Sequence, residues 1–514
     1  MGDIPRKGLF KTEEWQPVII GVLAIALVIL GVRITLPAFR WMGGPAYRSG
    51  LQASLPAVNA LAAEAAAADE AALSQAFGDM QRAAGGYDRA AMGAAAEAAM
   101  QAAKGAKDAA LGKRATDLAR KIRDDSRAVF TNLLVSSNLL NSAILAGAML
   151  ILALLAVGLS GGRLGAFILG FPVVYALSWI AQAIAGNTGI TYWGLEYVVF
   201  ALAIGLFISN VIGVPKWLQE AVRTELYIKI GLVLLGAGIL FPEILQAGVL
   251  GIIQALLVVG AVWYACYWIS RKLKVDDEFA AILSSAVSIC GVSAAIAACG
   301  AIQGDKKKLS YVISLTLIVA IPMMITMPWI VRLLKIPDVI AGAWMGGTLD
   351  TTGSVVAATA LVSDASMKIG TIVKFSQNVF IGIAAFLLSL WWSFRKKGNG
   401  PGAEAAKPGA KVIWERFPKF VLGFLAASLL FSFILDPGLV KQTKGLLSGL
   451  RTAWFGVTFV SIGLETKLSG LLKMGKGKPA LAFVAAQLFN VLWTLLIAYV
   501  LFGGNIFPLV SFGP

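Results

Sequence analysis

Long apolar blocks fix the class of this chain before any motif is read. They follow one another with short breaks at 139–159, 164–185, 195–213, 228–247, 248–270, 281–302, 310–331, 338–363, 370–393, 417–435, 451–471 and 478–502. Most are close to the ~20 residues a helix needs to cross a hydrocarbon core. Hydrophobic residues make up 58% of the chain and charged ones only 14%, against about 25% charged in soluble domains. An ordinary soluble enzyme and a disordered chain are both excluded. The chain has no histidine, which removes the commonest general base and the usual zinc ligand. Cys266, Cys290 and Cys299 all lie in apolar stretches, so neither a disulfide framework nor a cysteine metal site is expected. The net charge of +16 fits basic cytoplasmic loops of a membrane protein, and no nucleic-acid partner, metal or cofactor is expected. The expected fold class is all-α: a polytopic membrane protein with about 11–13 membrane segments.

Two stretches stand apart from these blocks. Residues 18–32 run apolar after a polar start and continue less purely to Phe39. No small-x-small cleavage site follows, since Arg33 and Ile34-Thr35-Leu36-Pro37 come next, so 1–40 reads as an anchor helix and not a cleaved signal peptide. Residues 41–133 are Ala-rich, with 21 alanines among the 50 residues from 51 to 100. Alanine has the highest helix propensity, which predicts long helices outside the membrane, with Gly85-Gly86 breaking a helical hairpin. A spacer or packing module is favoured there over a partner-binding one. The expected domains are 1–40, 41–133, a first membrane block 134–393, a Gly/Pro/Lys-rich linker 394–416 and a second block 417–514.

Orientation follows from Lys and Arg in short loops. Arg395, Lys396, Lys397, Lys407, Lys411 and Arg416 place the linker in the cytoplasm, and Lys473, Lys476 and Lys478 agree. Counting back leaves the N-terminus cytoplasmic and 41–133 extracytoplasmic. The segments 281–302 and 338–363 can each span or fold back as a hairpin. The charge count leans towards folding back, which puts Lys306, Lys307 and Lys308 inside.

Those two segments also carry the candidate chemistry. One reads Ser288-Ile289-Cys290-Gly291-Val292-Ser293, the other Gly346-Gly347-Thr348-Leu349-Asp350-Thr351-Thr352-Gly353-Ser354. Small hydroxyl residues around a glycine, followed by a small-residue helix, suit a broken or re-entrant membrane helix. Helix N-termini exposed at membrane depth carry free N–H groups and partial positive charge, which suits a small anion. Close helix packing is the bland alternative. Ser288, Cys290, Gly291, Ser293, Thr351, Thr352, Gly353 and Ser354 are the candidate substrate-binding residues. A carboxylate deep in a span is costly and usually functional, so Asp350 is the candidate for a coupling proton or sodium ion. Lys374 in the next span either pairs with Asp350 or faces the substrate, with Gln377 and Asn378 one turn further on. A looser echo joins two apolar half-spans that lead to a carboxylate, Glu243 and Glu465, and suggests an inverted-repeat transporter architecture.

At these residues the chain resembles the YeiH-type sulfate exporter family of bacterial membrane proteins. The likeness rests on Ser288-Ile289-Cys290-Gly291-Val292-Ser293-Ala294 and on Gly342-Ala343-Trp344-Met345-Gly346-Gly347-Thr348-Leu349-Asp350-Thr351-Thr352-Gly353, with the Leu234-Leu235-Gly236 half-span and Lys374. It covers about residues 190–500 and leaves 1–133 without a counterpart. The resemblance implies a multi-pass transporter of the bacterial inner membrane, related in architecture to the cation/proton antiporter and bile-acid transporter folds, with broken helices near the midplane. The expected substrate for export is a small anion such as sulfate, an organic sulfonate or a carboxylate. The expectation is therefore a secondary transporter coupled to protons or sodium, not an enzyme, with homo-oligomers open to it. An anion channel, or a scaffold acting through 41–133, is the alternative.

Overall fold

A computed structural model of the chain describes residues 14–192, 196–396, 417–466, 477–504 and 506–510. The first 13 residues, the linker beyond Lys396, and Lys473 and Lys476 lie outside the described residues. In chain order the helices begin with α1 (Gln16–Ile29), α2 (Gly44–Ala67), α3 (Ala71–Gly86), α4 (Arg89–Lys104), α5 (Ala109–Arg127), α6 (Ser136–Ser160) and α7 (Leu164–Ala185). They continue with α8 (Thr188–Tyr192), α9 (Tyr197–Phe207), α10 (Lys216–Gln219), α11 (Thr224–Gly236), α12 (Phe241–Lys272), α13 (Asp277–Ser285) and α14 (Gly291–Ile302). The last are α15 (Lys306–Leu333), α16 (Asp338–Thr348), α17 (Thr352–Ala360), α18 (Asp364–Lys396), α19 (Phe420–Leu429), α20 (Pro437–Glu465) and α21 (Lys478–Phe502). Among the described residues there is no β-strand, only an isolated bridge between Trp41 and Asn187. The chain divides into two compact units, Ile34–Ala148 with Trp179–Phe200, and Met1–Arg33 with Met149–Ser178 and Ala201–Pro514.

The smaller unit contains the Ala-rich segment, which forms four helices, α2 to α5, where the sequence suggested one hairpin. The break at Gly85-Gly86 is there, with Tyr87 turning left-handed at φ 52°. Asp69 adds a second break at φ 54°. Asp88 and Asp108 then start new helices, their carboxylates accepting from Ala90 N–H and Ala110 N–H at 2.8 Å each, as N-caps do. The bundle closes on a core that includes Tyr47, Val58, Phe77, Met80 and Met92. Arg89 ties the ends together: its guanidinium lies 4.2 Å from the Tyr47 ring centroid and donates to Met42 O and Ala128 O.

In the larger unit, length and hydropathy decide most elements. Among the described residues of the whole chain, eight helices are long and apolar enough to cross a membrane. Two span boundaries differ from the sequence expectation. The pair drawn at 228–247 and 248–270 is α11 and α12, divided ten residues earlier at Ala237–Leu240, because Pro242 and Glu243 begin a helix. The Glu243 carboxylate accepts from Leu240 N at 3.1 Å. The span drawn at 451–471 starts at Pro437, where Asp436 caps Gly438 N–H at 2.8 Å; its polar first turns hid it from a hydropathy reading. Glu243 opens a helix and Glu465 ends one; the turns that follow Glu465 in the echo lie outside the described residues.

Helices α1, α11, α19 and α20 pack together, while α12, α18 and α21 pack around α13, α14, α16 and α17. The first group also takes in α9, whose Gly205 meets Gly463 of α20 at backbone distance. A Cβ on Gly205 would stand 2.4 Å from Val460 O and 2.8 Å from Gly463 Cα. Ser209 locks the approach by donating to Gly463 O at 2.9 Å and Thr466 O at 2.7 Å. Gly205→Val is expected to cost at least about 1–3 kcal/mol through overpacking. Thermal unfolding in detergent reads this, and an unchanged midpoint would argue against the contact.

The two ambiguous segments both fold back as hairpins. By composition Asp277–Ile302 counts as a span. As a straight helix, however, Glu278 and Asp305 would stand about 40 Å apart, whereas Glu278 accepts a hydrogen bond from Asp305 N. Lys308 clasps the same base, 2.7 Å from Asp276 and 3.2 Å from Glu278. Partial burial would raise the Asp276 carboxyl, but the Lys308 ammonium and the Phe279 N–H outweigh it and hold it below the usual range. That contribution is present at neutral pH and lost as pH falls through the carboxylate range. In the second segment Gly342 O and Thr359 Cγ2 both lie within 3.1 Å of the point where a Gly370 Cβ would stand. Arg332 closes this base by donating to Leu361 O at 2.5 Å. The two bases sit at opposite ends of α15, a helix about 42 Å long, so the hairpins approach from opposite sides and meet at their tips.

Candidate functional site: two hairpin tips and a cavity

At the first tip, α13 loosens into a π turn at Ala286–Cys290. Cys290 is extended (φ −152°, ψ 85°), and α14 starts at Gly291. At the second, α16 gives way to an extended Leu349, and Thr351 caps α17 by accepting from Ser354 N at 3.0 Å. Each break frees the last carbonyls of one arm and the first N–H groups of the next. Such backbone is tolerated at membrane depth only where protein or a water-filled cavity covers it.

Protein covers the carbonyl ends. The Lys374 ammonium donates to Ile289 O at 2.6 Å, Leu349 O at 2.8 Å and Gln377 Oε1 at 2.9 Å, so one side chain holds both tips. Gln377 Nε2 donates to Ser288 O at 2.8 Å and Gly347 O at 3.1 Å. From the other flank, Gln487 reaches Thr348 O at 3.0 Å and Asn490 reaches Val287 O at 3.2 Å. An ammonium and three amides thus meet the negative ends of the first-arm dipoles.

The N–H ends face a cavity of about 740 Å³. Cys290, Val292 and Ser293 of the first tip line it, with 351–354 of the second and Asn378 of α18. The N-terminus of α14 carries no side-chain cap. The far wall comes from α1, α11 and α20 and is charged: Glu14, Arg223, Glu225, Lys229 and Glu465. There Lys229 Nζ bridges Glu14 at 3.0 Å and Glu225 at 3.4 Å.

The structure distributes the sequence candidates among three roles. Cys290, Ser293, Thr351, Thr352, Gly353, Ser354 and Asn378 line the cavity. Thr351 spends its oxygen on the cap, and Asn378 Nδ2 donates to Thr352 Oγ1 at 3.4 Å. Ser288 turns away, donating to Ser284 O of its own helix at 2.7 Å. Gly291 lies where the tips cross: a Cβ there would stand 2.2 Å from Thr316 Cγ2 and 3.1 Å from Asp350 Cβ. Lys374 and Gln377 fasten the tips, and neither is among the cavity-lining residues. Asp350 is 2% exposed; neither carboxylate oxygen has a partner at full hydrogen-bond geometry, although the Gln487 amide approaches it. No hydrogen bond joins Asp350 to Lys374, but the two buried charges lie close enough to act on one another through space.

Sequence reasoning missed Gln487 and Asn490, although an i, i+3 polar pair inside an otherwise apolar span repeats the spacing of Lys374 and Gln377. It also missed the charged far wall as a unit, because Glu14, the cluster Arg223, Glu225 and Lys229, and Glu465 come from three separate stretches that carry no joint signal.

Opposed hairpins, with polar side chains fastening one set of arm ends and a cavity at the other, define a multi-pass membrane protein built around paired re-entrant helices. The chain belongs to the family described as conserved hypothetical protein 698, whose model matches residues 169–482, more than half of its length. It is 39% identical over 351 residues to a UPF0324 membrane protein of Rhodopirellula baltica, covering 66% of this chain and 64% of that one. It is 39% identical over 348 residues to a UPF0324 membrane protein of Nitratidesulfovibrio vulgaris, covering 65% and 59%. It is 29% identical over 375 residues to one of Nitrosomonas europaea, covering 63% and 76%. The match thus spans less than two thirds of the first two relatives. No solved structure matches the chain.

Proposed function

We propose that the protein is a secondary transporter of a small anion, such as sulfate or an organic sulfonate or carboxylate, coupled to protons or sodium. One observation carries the reading: both second-arm N-termini open onto one cavity, while the carbonyl ends of the first arms are closed by Lys374, Gln377, Gln487 and Asn490. Free N–H groups and partial positive charge then face the space a substrate would enter. Ser293, Thr352 and Ser354 add hydroxyl donors around it. Lys374 serves as the clamp that keeps the tips in register, and Asp350 as the seat of the coupling ion. No catalytic step is part of this reading.

The test is flux of radiolabelled sulfate, and of a small sulfonate and a carboxylate, by purified protein in liposomes under imposed proton or sodium gradients. Saturable flux driven by one of the gradients is expected, with coupling lost in Asp350→Asn. Gradient-independent flux accompanied by single-channel currents would overturn the transporter reading. Wild-type coupling in Asp350→Asn would remove that residue from its role.

A further inference from the structure

Behind the tips, away from the cavity, lies a set of buried oxygens that the proposed substrate path does not use. Both carboxylate oxygens of Asp350 lack a partner at full hydrogen-bond geometry, as do Thr316 Oγ1, Thr348 Oγ1 and Gln487 Oε1. Their residues are at most 3% exposed. They also gather in one place. The Cβ atoms of Asp350 and Thr316 both lie within 3.3 Å of the point where a Gly291 Cβ would stand. Thr348 precedes Asp350 by two residues, and Gln487 is fastened to it through Nε2 and Thr348 O at 3.0 Å.

Buried polar atoms are nearly always partnered, and unpartnered ones ask for an unseen ion or water. Here the unpartnered atoms are all oxygens, on one carboxylate, two hydroxyls and an amide. Lys374, the cation that the sequence offered to Asp350, is committed to three other oxygens. A single carboxylate with neutral oxygens suits a hard monovalent cation. Hard cations take oxygen ligands, and with the Lys374 ammonium also acting on Asp350, a divalent ion would add far more charge than one carboxylate offsets. A proton alone would fill one oxygen and leave the others bare.

We propose that Asp350, Thr316, Thr348 and Gln487 form a sodium site at the crossing of the two hairpin tips. The site ties the second hairpin to helices that flank the first, since Asp350 and Thr348 belong to the second hairpin, Thr316 to α15 and Gln487 to α21. Its purpose rests on the transport reading, as the seat of the coupling ion. The measurement is of binding alone, so failure here leaves transport coupled to protons standing.

The test is thermal unfolding of the purified full chain in detergent, titrated with NaCl against N-methylglucamine chloride at constant ionic strength. A saturable sodium-dependent rise in the midpoint is expected, because a ligand of the folded state stabilises it by mass action. The rise should vanish in Asp350→Asn, and in Thr316→Val half-saturation should move up by roughly tenfold. Equilibrium dialysis of wild-type protein with radioactive sodium keeps the proposal testable if the variants do not fold, with saturable binding of one ion per chain expected. No sodium-specific shift, no bound sodium, or a wild-type shift in both variants would overturn the site.

Discussion

Lys374→Met is expected to lower stability by at least about 3 kcal/mol, because it orphans three buried acceptors at about 1–3 kcal/mol each. Methionine keeps an unbranched apolar stem like that of lysine and lacks its terminal nitrogen, so the loss isolates the ammonium. Three acceptors lose their donor at once: Ile289 O, Leu349 O and Gln377 Oε1. Two of these are the terminal carbonyls of opposed half-helices, and orphaning each costs about 1–3 kcal/mol. Lys374→Arg is expected to fail as well. A planar guanidinium cannot replace a compact ammonium between acceptors that lie within 2.9 Å on three sides. Thermal unfolding in detergent measures both variants, and a wild-type midpoint in Lys374→Met would refute the clamp.

Gly291→Val is expected to abolish transport while leaving a membrane-inserted chain. The Cβ it adds would fall 2.2 Å from Thr316 Cγ2 of α15 and 3.1 Å from Asp350 Cβ of the second tip, so the first tip must shift away from both. Misplacing binding groups by about 1 Å costs on the order of 10²-fold in rate, and a larger shift would take α14 off the cavity. The double variant Gly291→Ala with Thr316→Ser supplies the control. Removing the Thr316 methyl clears the shortest contact and leaves the 3.1 Å approach to Asp350 Cβ, which a small adjustment absorbs. Liposome flux should be absent in the valine variant and partly recovered in the double one. Full flux in Gly291→Val would show that the tips need not meet so closely.

Much of this was legible in the residues. Apolar blocks gave the helical membrane class, and most span boundaries fall within a few residues because hydropathy is a local property. The motifs at Ser288–Ser293 and Gly346–Ser354 drew attention to both tips, since small hydroxyl residues around glycine are unusual inside a span. Ser288 shows the limit of that signal: its type was right for a donor, but helical phase points its hydroxyl back to Ser284 O. The start of α20 was missed because Lys441 and Lys444 depress hydropathy, and a single capping aspartate does not compensate in a window average.

The sequence by itself determined the class, the places where helices break, and the presence of one carboxylate and one ammonium deep in apolar surroundings. Only the tertiary structure decided that both broken segments fold back and meet. Whether a break turns a helix by a few degrees or reverses it depends on what receives the freed backbone groups. Those receivers, Lys374, Gln377, Gln487 and Asn490, lie up to 203 residues away along the chain. Asp350 and Lys374 are close in sequence, yet only the fold could decide their partners: the geometry gives the lysine's hydrogens to Ile289 O, Leu349 O and Gln377 Oε1 and leaves the aspartate facing other oxygens.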